Sequence, residues 1–235
     1  MRTIRAAILV LAAGIFSQAA VAADLGGPPR RSVKDAPIPY GPVFSWTGVY
    51  VGAHVGYGWS DLDWQFANTP GIPSGHGGSG GLVGGQIGYN LQINQFVFGI
   101  EGDLSGSWID GGTACPGTAL NCSHNVNWLA SVRGRAGIAV NGNRTLLYAT
   151  AGGAWADVDY AATSVVTGGS HSERHTGWVA GAGIEHMLSP NLTARIEYLY
   201  YGFDSVTAPA GALGAGPAAL DLSTQTLRLG LNLKF

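Results

Sequence analysis

The 235-residue chain holds no apolar run that approaches the ~20 residues a membrane-spanning helix needs. A helical membrane protein is therefore excluded. Charged residues make up only 11% of it, far below the share usual for a cytosolic domain. Basic residues are in the minority, 12 Lys and Arg against 14 Asp and Glu, so there is no electrostatic footprint for nucleic acid. Catalytic signatures are missing too: no G-x-S-x-G occurs, no Ser and His pair falls on one predicted face, and the GxGxxG-like glycine run leads into no helix. An enzyme is not expected, and no cofactor is called for.

What is present is glycine, 38 residues of it, in a chain that is 46% apolar. Residues Met1 to Ala22 carry Arg2 and Arg5, an apolar stretch from Ala6 to Phe16, and small residues ending Ala20, Val21, Ala22. That order is expected of a cleaved secretory signal peptide over residues 1–22. Its removal would take the net charge from −2 to −4. Residues 23–45 are Pro-rich, mixed in charge and aperiodic, and read as an extended periplasmic tail. Arg30, Arg31 and Lys34 there could hold lipopolysaccharide or cell wall, against the simpler reading of a linker.

From residue 46 to 235 the pattern changes to period two, the signature of strands. Eight segments carry it, centred on Ala53, Gln86, Gly102, Val132, Ala151, Gly181, Glu197 and Gly230. The spacings between centres run about 33, 16, 30, 19, 30, 16 and 33 residues, so long and short connections alternate. Such alternation predicts an all-β fold, an eight-stranded antiparallel up-and-down transmembrane β-barrel with tight periplasmic turns and large outer loops. Turns are expected near Asn94, at Asn141, Gly142, Asn143 and at Ser189, Pro190, Asn191; the loops at 68–81, 111–125, 159–176 and 204–221.

The closing segment TLRLGLNLKF sorts Leu227, Leu229, Leu231, Leu233 and Phe235 from Arg228, Gly230, Asn232 and Lys234. Similar sorting separates Phe96, Phe98, Ile100 and Leu104 from Glu101 and Asp103, and Val132, Ala136 and Ile138 from Arg133 and Arg135. A soluble lipocalin-type barrel would point its charges outward and its apolar face inward, and parity alone does not separate the two. Two signals do: Tyr89, Trp108, Trp128, Tyr148, Trp178, Tyr198 and Tyr200 lie near the ends of the apolar stripes, as interfacial girdles require, and Phe235 closes the last alternating strand. A terminal Phe in this setting reads as a signal for the outer-membrane assembly machinery.

The stretches SWTGVYVGAHVGYGW, GGQIGYNLQ, VFGIEGDLSGS, ARIEYLYYGF and LRLGLNLKF, in this order along the mature chain, resemble the RopB-like family of small alphaproteobacterial outer-membrane proteins. The family relates to the OmpA-type eight-stranded barrels. The resemblance implies a location in the Gram-negative outer membrane, in contact with its lipid and lipopolysaccharide, and a role in envelope integrity. Haemin binding is claimed for some members and porin-like activity suggested for others.

An eight-stranded barrel is just wide enough inside for side chains to fill it. Parity places Glu101, Asp103, Asp157, Asp159, Glu185 and Glu197 in the lumen with Arg133, Arg135, Arg195, Arg228 and Lys234. The two readings are internal ion pairs that plug the lumen and a narrow path for ions or small solutes. Gly48, Gly52, Gly56, Gly58, Gly88, Gly137, Gly181 and Gly183 would make room for Tyr50 and the arginines. Cys115 and Cys122 are close enough for a loop-closing disulfide in an oxidising compartment; with His124 alone beside them, a metal site lacks its fourth ligand. His76, His124, His171 and His175 fall in the expected outer loops, as solvated residues or as a surface site for haemin or a metal ion. His54 is expected in the lumen and His186 beside an inner turn.

Overall fold

The computed structural model describes residues 44–66, 74–114, 121–163, 168–208 and 218–235. The expected signal peptide and most of the Pro-rich tail lie outside them. The strands are β1 (Gly48–Phe66), β2 (Ser74–Ile93), β3 (Phe96–Ala114), β4 (Asn121–Val140), β5 (Thr145–Thr163), β6 (Gly168–Met187), β7 (Leu192–Phe203), β8 (Val206–Ala208) and β9 (Ala218–Lys234). Each long strand pairs antiparallel with its neighbour in sequence, β7 pairs with β9, and β1 pairs with β9, so eight strands close into a barrel. The three-residue β8 only extends β9 at one end. All eight expected centres fall within the eight long strands.

Composition dictates the turns. Asn94, Asn141 and Asn143 hold positive φ angles of 57, 52 and 66°, and Gly142 one of 64°. Asn and Gly tolerate the left-handed region, which lets a hairpin reverse in two to four residues. At the other end the strands run on where loops were expected: Trp64 still pairs with Ser74, Ala114 with Asn121 and Thr163 with Gly168. Gly, Ser and Thr there form β-ribbon rather than coil, because the ladder continues where water replaces lipid.

The outer stripe of β1 runs Val49, Val51, Ala53, Val55, Tyr57, Trp59, all exposed, and that of β9 runs Leu227 to Phe235. At ~3.3 Å of rise per residue and ~40° of tilt, ten steps span ~25 Å, the height of an outer-membrane apolar band. Its outer edge is aromatic: Trp59, Trp108, Trp155, Trp178 and Tyr198 are exposed there, with Trp128 and Tyr200 half-buried. Beyond it the outward positions turn polar, with Asp61 and Asp110 exposed.

One strand departs from the expected parity. On β5 the even positions Leu146, Tyr148, Thr150, Ala154, Ala156 and Val158 face the lumen, and Asp157 and Asp159 face out, half-buried above the girdle. Tyr148 is therefore a lumen residue and not part of a girdle. Both β5 stripes are apolar near the turn, with Leu146 beside Leu147, so alternation in the sequence does not say which faces lipid.

Candidate lumen site

The inside of the barrel is layered. Next to the periplasmic turns an apolar cluster holds Trp46, Val97, Ala139, Leu146, Tyr148 and Met187. The chain before β1 forms its cork: Gly48 bends at φ 141° against the Phe235 carbonyl, and Trp46 turns in, 1% exposed. The Trp46 indole N–H donates to the Asn143 carbonyl at 2.9 Å, and its backbone N–H donates to Gln92 Oε1 at 2.8 Å. Phe44 packs on the same cluster, with the Arg144 guanidinium 4.7 Å over its ring. Phe44 and Ser45, the end of the expected tail, thus belong to the barrel. Lys234 is spent here as well; its ammonium donates to the Ser45 carbonyl and stays outside the charged layer, contrary to the parity reading.

Above the cork lie four carboxylates and four guanidinium groups. Glu101 accepts from Arg133 Nη2 and Arg195 Nη1, each at 2.5 Å, and from the Tyr50 hydroxyl at 2.7 Å. Asp103 accepts from Arg228 Nη1 at 2.7 Å and from the Ser131 hydroxyl. Glu185 accepts from Arg135 Nη2 at 2.7 Å, Asn232 Nδ2 at 2.7 Å and the Thr193 hydroxyl at 2.5 Å. Glu197 accepts from the Tyr148 hydroxyl at 2.9 Å and lies 3.2 Å from Arg133 Nη1. All eight charged residues are buried. Opposite charges in equal number, each with hydrogen-bonding partners, are what a narrow low-dielectric space tolerates. Arg135 also stacks 4.0 Å from the Tyr148 ring centroid.

Inward glycines make this density attainable. A Cβ on Gly88 would strike the Tyr50 hydroxyl, and one on Gly183 the Tyr148 hydroxyl. His54, buried in the lumen, spans the layer's upper edge, with Nδ1 2.6 Å from Gln86 Oε1 and Nε2 2.8 Å from Ser105 Oγ. His186 sits beside its turn, Nδ1 3.0 Å from the Thr145 hydroxyl.

A second apolar cluster closes the extracellular side, with Ile109, Val126, Leu129, Val158, Leu199, Tyr201, Phe203 and Leu222 among its members. The sequence reading missed it. A β-bulge in β4 between Val126 and Trp128 moves Val126 and His124 onto the stripe of Leu129, Ser131 and Arg133. Parity extrapolated through that point puts these residues on the wrong side.

Two of the four histidines of the expected surface site are not on the surface. His124 and His175 are on strands and point into the barrel, 2% and 0% exposed; His124 Nε2 lies 2.9 Å from Ser60 Oγ and His175 stands edge-on to Phe203. His76 and His171 lie on β2 and β6, with side chains outside the described residues. Ser60–His124 and Ser105–His54 are Ser and His pairs the sequence reading did not find; both are buried, and the second His faces an amide rather than a carboxylate. Among the described residues no group of three or more His, Cys, Asp or Glu is arranged to hold a metal ion. Cys115 lies outside the described residues, and Cys122 is the second residue of β4. Outside the girdle, Asn127 Nδ2 donates to Asp159 at 2.8 Å and the Ser172 hydroxyl donates to it too, which holds that carboxyl below the usual carboxylate range.

A closed antiparallel barrel with an apolar, aromatic-edged outside and ionic filling inside defines a transmembrane β-barrel of the outer membrane. The profile of the family described as "Outer membrane protein beta-barrel domain" matches residues 8–235, and the chain belongs to that family. It is similar to the 31 kDa outer-membrane immunogenic protein of Brucella melitensis biotype 1, 31% identical over 98% of this chain and all of the relative. The 22 kDa outer membrane protein of Rhizobium leguminosarum bv. viciae is 31% identical over 86% of this chain and 83% of the relative, in line with the RopB-like resemblance. Among solved structures, the outer membrane protein OprG of Pseudomonas aeruginosa matches 82% of this chain and 98% of its own, at a TM-score of 0.51 and 12% identity, which concerns the fold alone. The protein is located in the outer membrane.

Proposed function

We propose that this protein is a sealed structural barrel that supports envelope integrity, with no catalytic or cofactor role. The observation that carries this reading is the stacking of the lumen: a neutral ionic layer lies between two apolar clusters. An ion entering it would have to displace Trp46 or Tyr201 and then break pairs in which Arg133 and Arg228 are 1% and 0% exposed. Balanced charge offers no selectivity filter to repay that cost. The buried Ser and His pairs are out of reach of a substrate, which supports a non-enzymatic reading.

Its partners are the lipid around the apolar band and, through Phe235, the assembly machinery. An outward loop disulfide between Cys115 and Cys122 belongs to this reading, as does removal of residues 1–22 on export. The test is a strain lacking the protein: it should take up a large hydrophobic dye faster and grow less well in detergent, and the wild-type chain should restore both. Unchanged permeability and detergent tolerance would remove the proposed role.

A further inference from the structure

Above the aromatic edge the barrel wall parts between two strands. β6 keeps antiparallel register with β5 along nearly its whole length, from His186 opposite Thr145 to Gly168 opposite Thr163. Its register with β7 runs only from Met187 back to Gly177, which lies opposite Phe203. One bond further, the Asp204 N–H donates to the Thr176 carbonyl at 3.0 Å. A bulge then separates the two. Gly202 pairs with Ser223 and Val206 with Leu220, so four steps on this strand match three on β9, and the chain swings away from β6 to follow β9 as β8. Among the described residues, 168–175 of β6 therefore have a strand neighbour on one side only.

The last bond fixes where the unpaired groups point. In an antiparallel strand the N–H and C=O of one residue face the same side, and successive residues alternate. The Thr176 carbonyl faces β7, so the backbones of Arg174, Ser172, Ser170 and Gly168 face that way too, away from β5. Their N–H and C=O groups form a row along the strand edge. Trp178, exposed at the aromatic edge, lies just below, which sets the row in water on the extracellular side. Side chains add a second condition. Ser172 and Arg174 are exposed on the outer side, while His175 is buried inside, edge-on to Phe203. A strand laid against β6 would alternate likewise, polar where it passes Ser172 and Arg174 and apolar where it continues the inward stripe of Tyr201 and Phe203.

We infer that the edge of β6 from Gly168 to Arg174 is a docking site for an extended polypeptide segment from outside the cell, added antiparallel as a further strand between β6 and β8. A row of unpaired backbone groups templates such addition: main-chain bonds supply the affinity, and alternate side chains the selectivity. A second copy of this chain fits less well, since in one membrane its β6 runs in the same direction and offers only parallel pairing. The inference goes beyond a sealed barrel and does not depend on whether the lumen conducts.

The test uses the full folded chain in detergent micelles and a nine-residue probe peptide of alternating Thr and Val. Amide exchange read by NMR should be fast at Arg174, Ser172 and Ser170 in the free barrel and slow once the peptide is bound. Glu173 and His175, whose N–H groups face β5, should be slow throughout. The same peptide N-methylated at alternate residues, so that it cannot donate to β6, should not bind. Ser172→Pro, which removes one N–H of the row, should weaken binding about tenfold, and Ser172→Ala, which keeps it, should not. The Ser172 N–H points away from β5, so both variants should keep the heat-modifiable migration of the folded barrel. Row amides already slow in the free barrel, equal binding of the N-methylated and parent peptides, or equal binding by Ser172→Pro and Ser172→Ala would each overturn the assignment.

Discussion

Arg228 on the last strand and Asp103 on the third meet at 2.7 Å inside the barrel, 125 residues apart in sequence. The contact forms only when β9 has closed on β1, since an open sheet would hold these strands at its opposite regions. Ion pair and seam are thus one cooperative structure.

Asp103→Asn should leave Arg228 buried with only neutral acceptors, the Tyr201 hydroxyl and the new amide oxygen, and cost ~3–5 kcal/mol, the penalty of an uncompensated buried charge. Arg228→Met should cost less, because Asp103 keeps Arg133 Nη2 at 3.2 Å and the Ser131 hydroxyl. The double variant should cost clearly less than the sum, because both charges leave together. Urea unfolding of barrels refolded in lipid vesicles, followed by tryptophan fluorescence, measures all three; strict additivity would show that the pair is not coupled.

Packing around the inward glycines predicts a second non-additive pair. A Cβ on Gly58 would meet Ile109 Cδ1, with every other neighbouring atom at least 3.3 Å away. Gly58→Ala should destabilise by ~1–3 kcal/mol through overpacking, and Ile109→Val, which removes that methyl, should recover most of it. The same urea titration decides it.

The periplasmic cork can be weighed against lipid-facing tryptophan. Trp46→Ala leaves a cavity beneath Tyr148 and Met187 and should cost ~3–5 kcal/mol. Trp108 is 62% exposed on the outer edge, and Trp108→Ala should cost far less. Equal losses would contradict the inward turn at Gly48.

Phe235 is 71% exposed on the lipid face, and its backbone N–H donates to the Val49 carbonyl at 2.9 Å. Its ring contributes little to the barrel interior, so deleting it should leave refolding in detergent nearly unchanged. In cells the folded, heat-modifiable form in the outer membrane should fall severalfold if the assembly machinery reads that residue. A normal cellular level would show that it does not.

Strand number, closure and the lipid-facing stripes of β3, β4, β7 and β9 are legible in the sequence because charge and bulk alternate cleanly there. On β5 they do not: Leu146 and Leu147 are equally apolar, and Asp157 and Asp159, lumen residues by parity, stand outside above the girdle. Eight of the expected lumen charges meet in one network, yet pairing Arg228 with Asp103, or Arg135 with Glu185, depends on barrel width and shear, which no local pattern carries. The apolar outer cluster was hidden by the bulge near Asn127, and the ribbons of β2 and β6 by a Gly and Ser content that reads as loop.

Single-channel recording tests the sealed lumen most directly. The refolded full chain in planar bilayers at high salt should give no discrete current steps, whereas reproducible steps of uniform size from the wild-type chain would contradict a lumen closed by its own side chains.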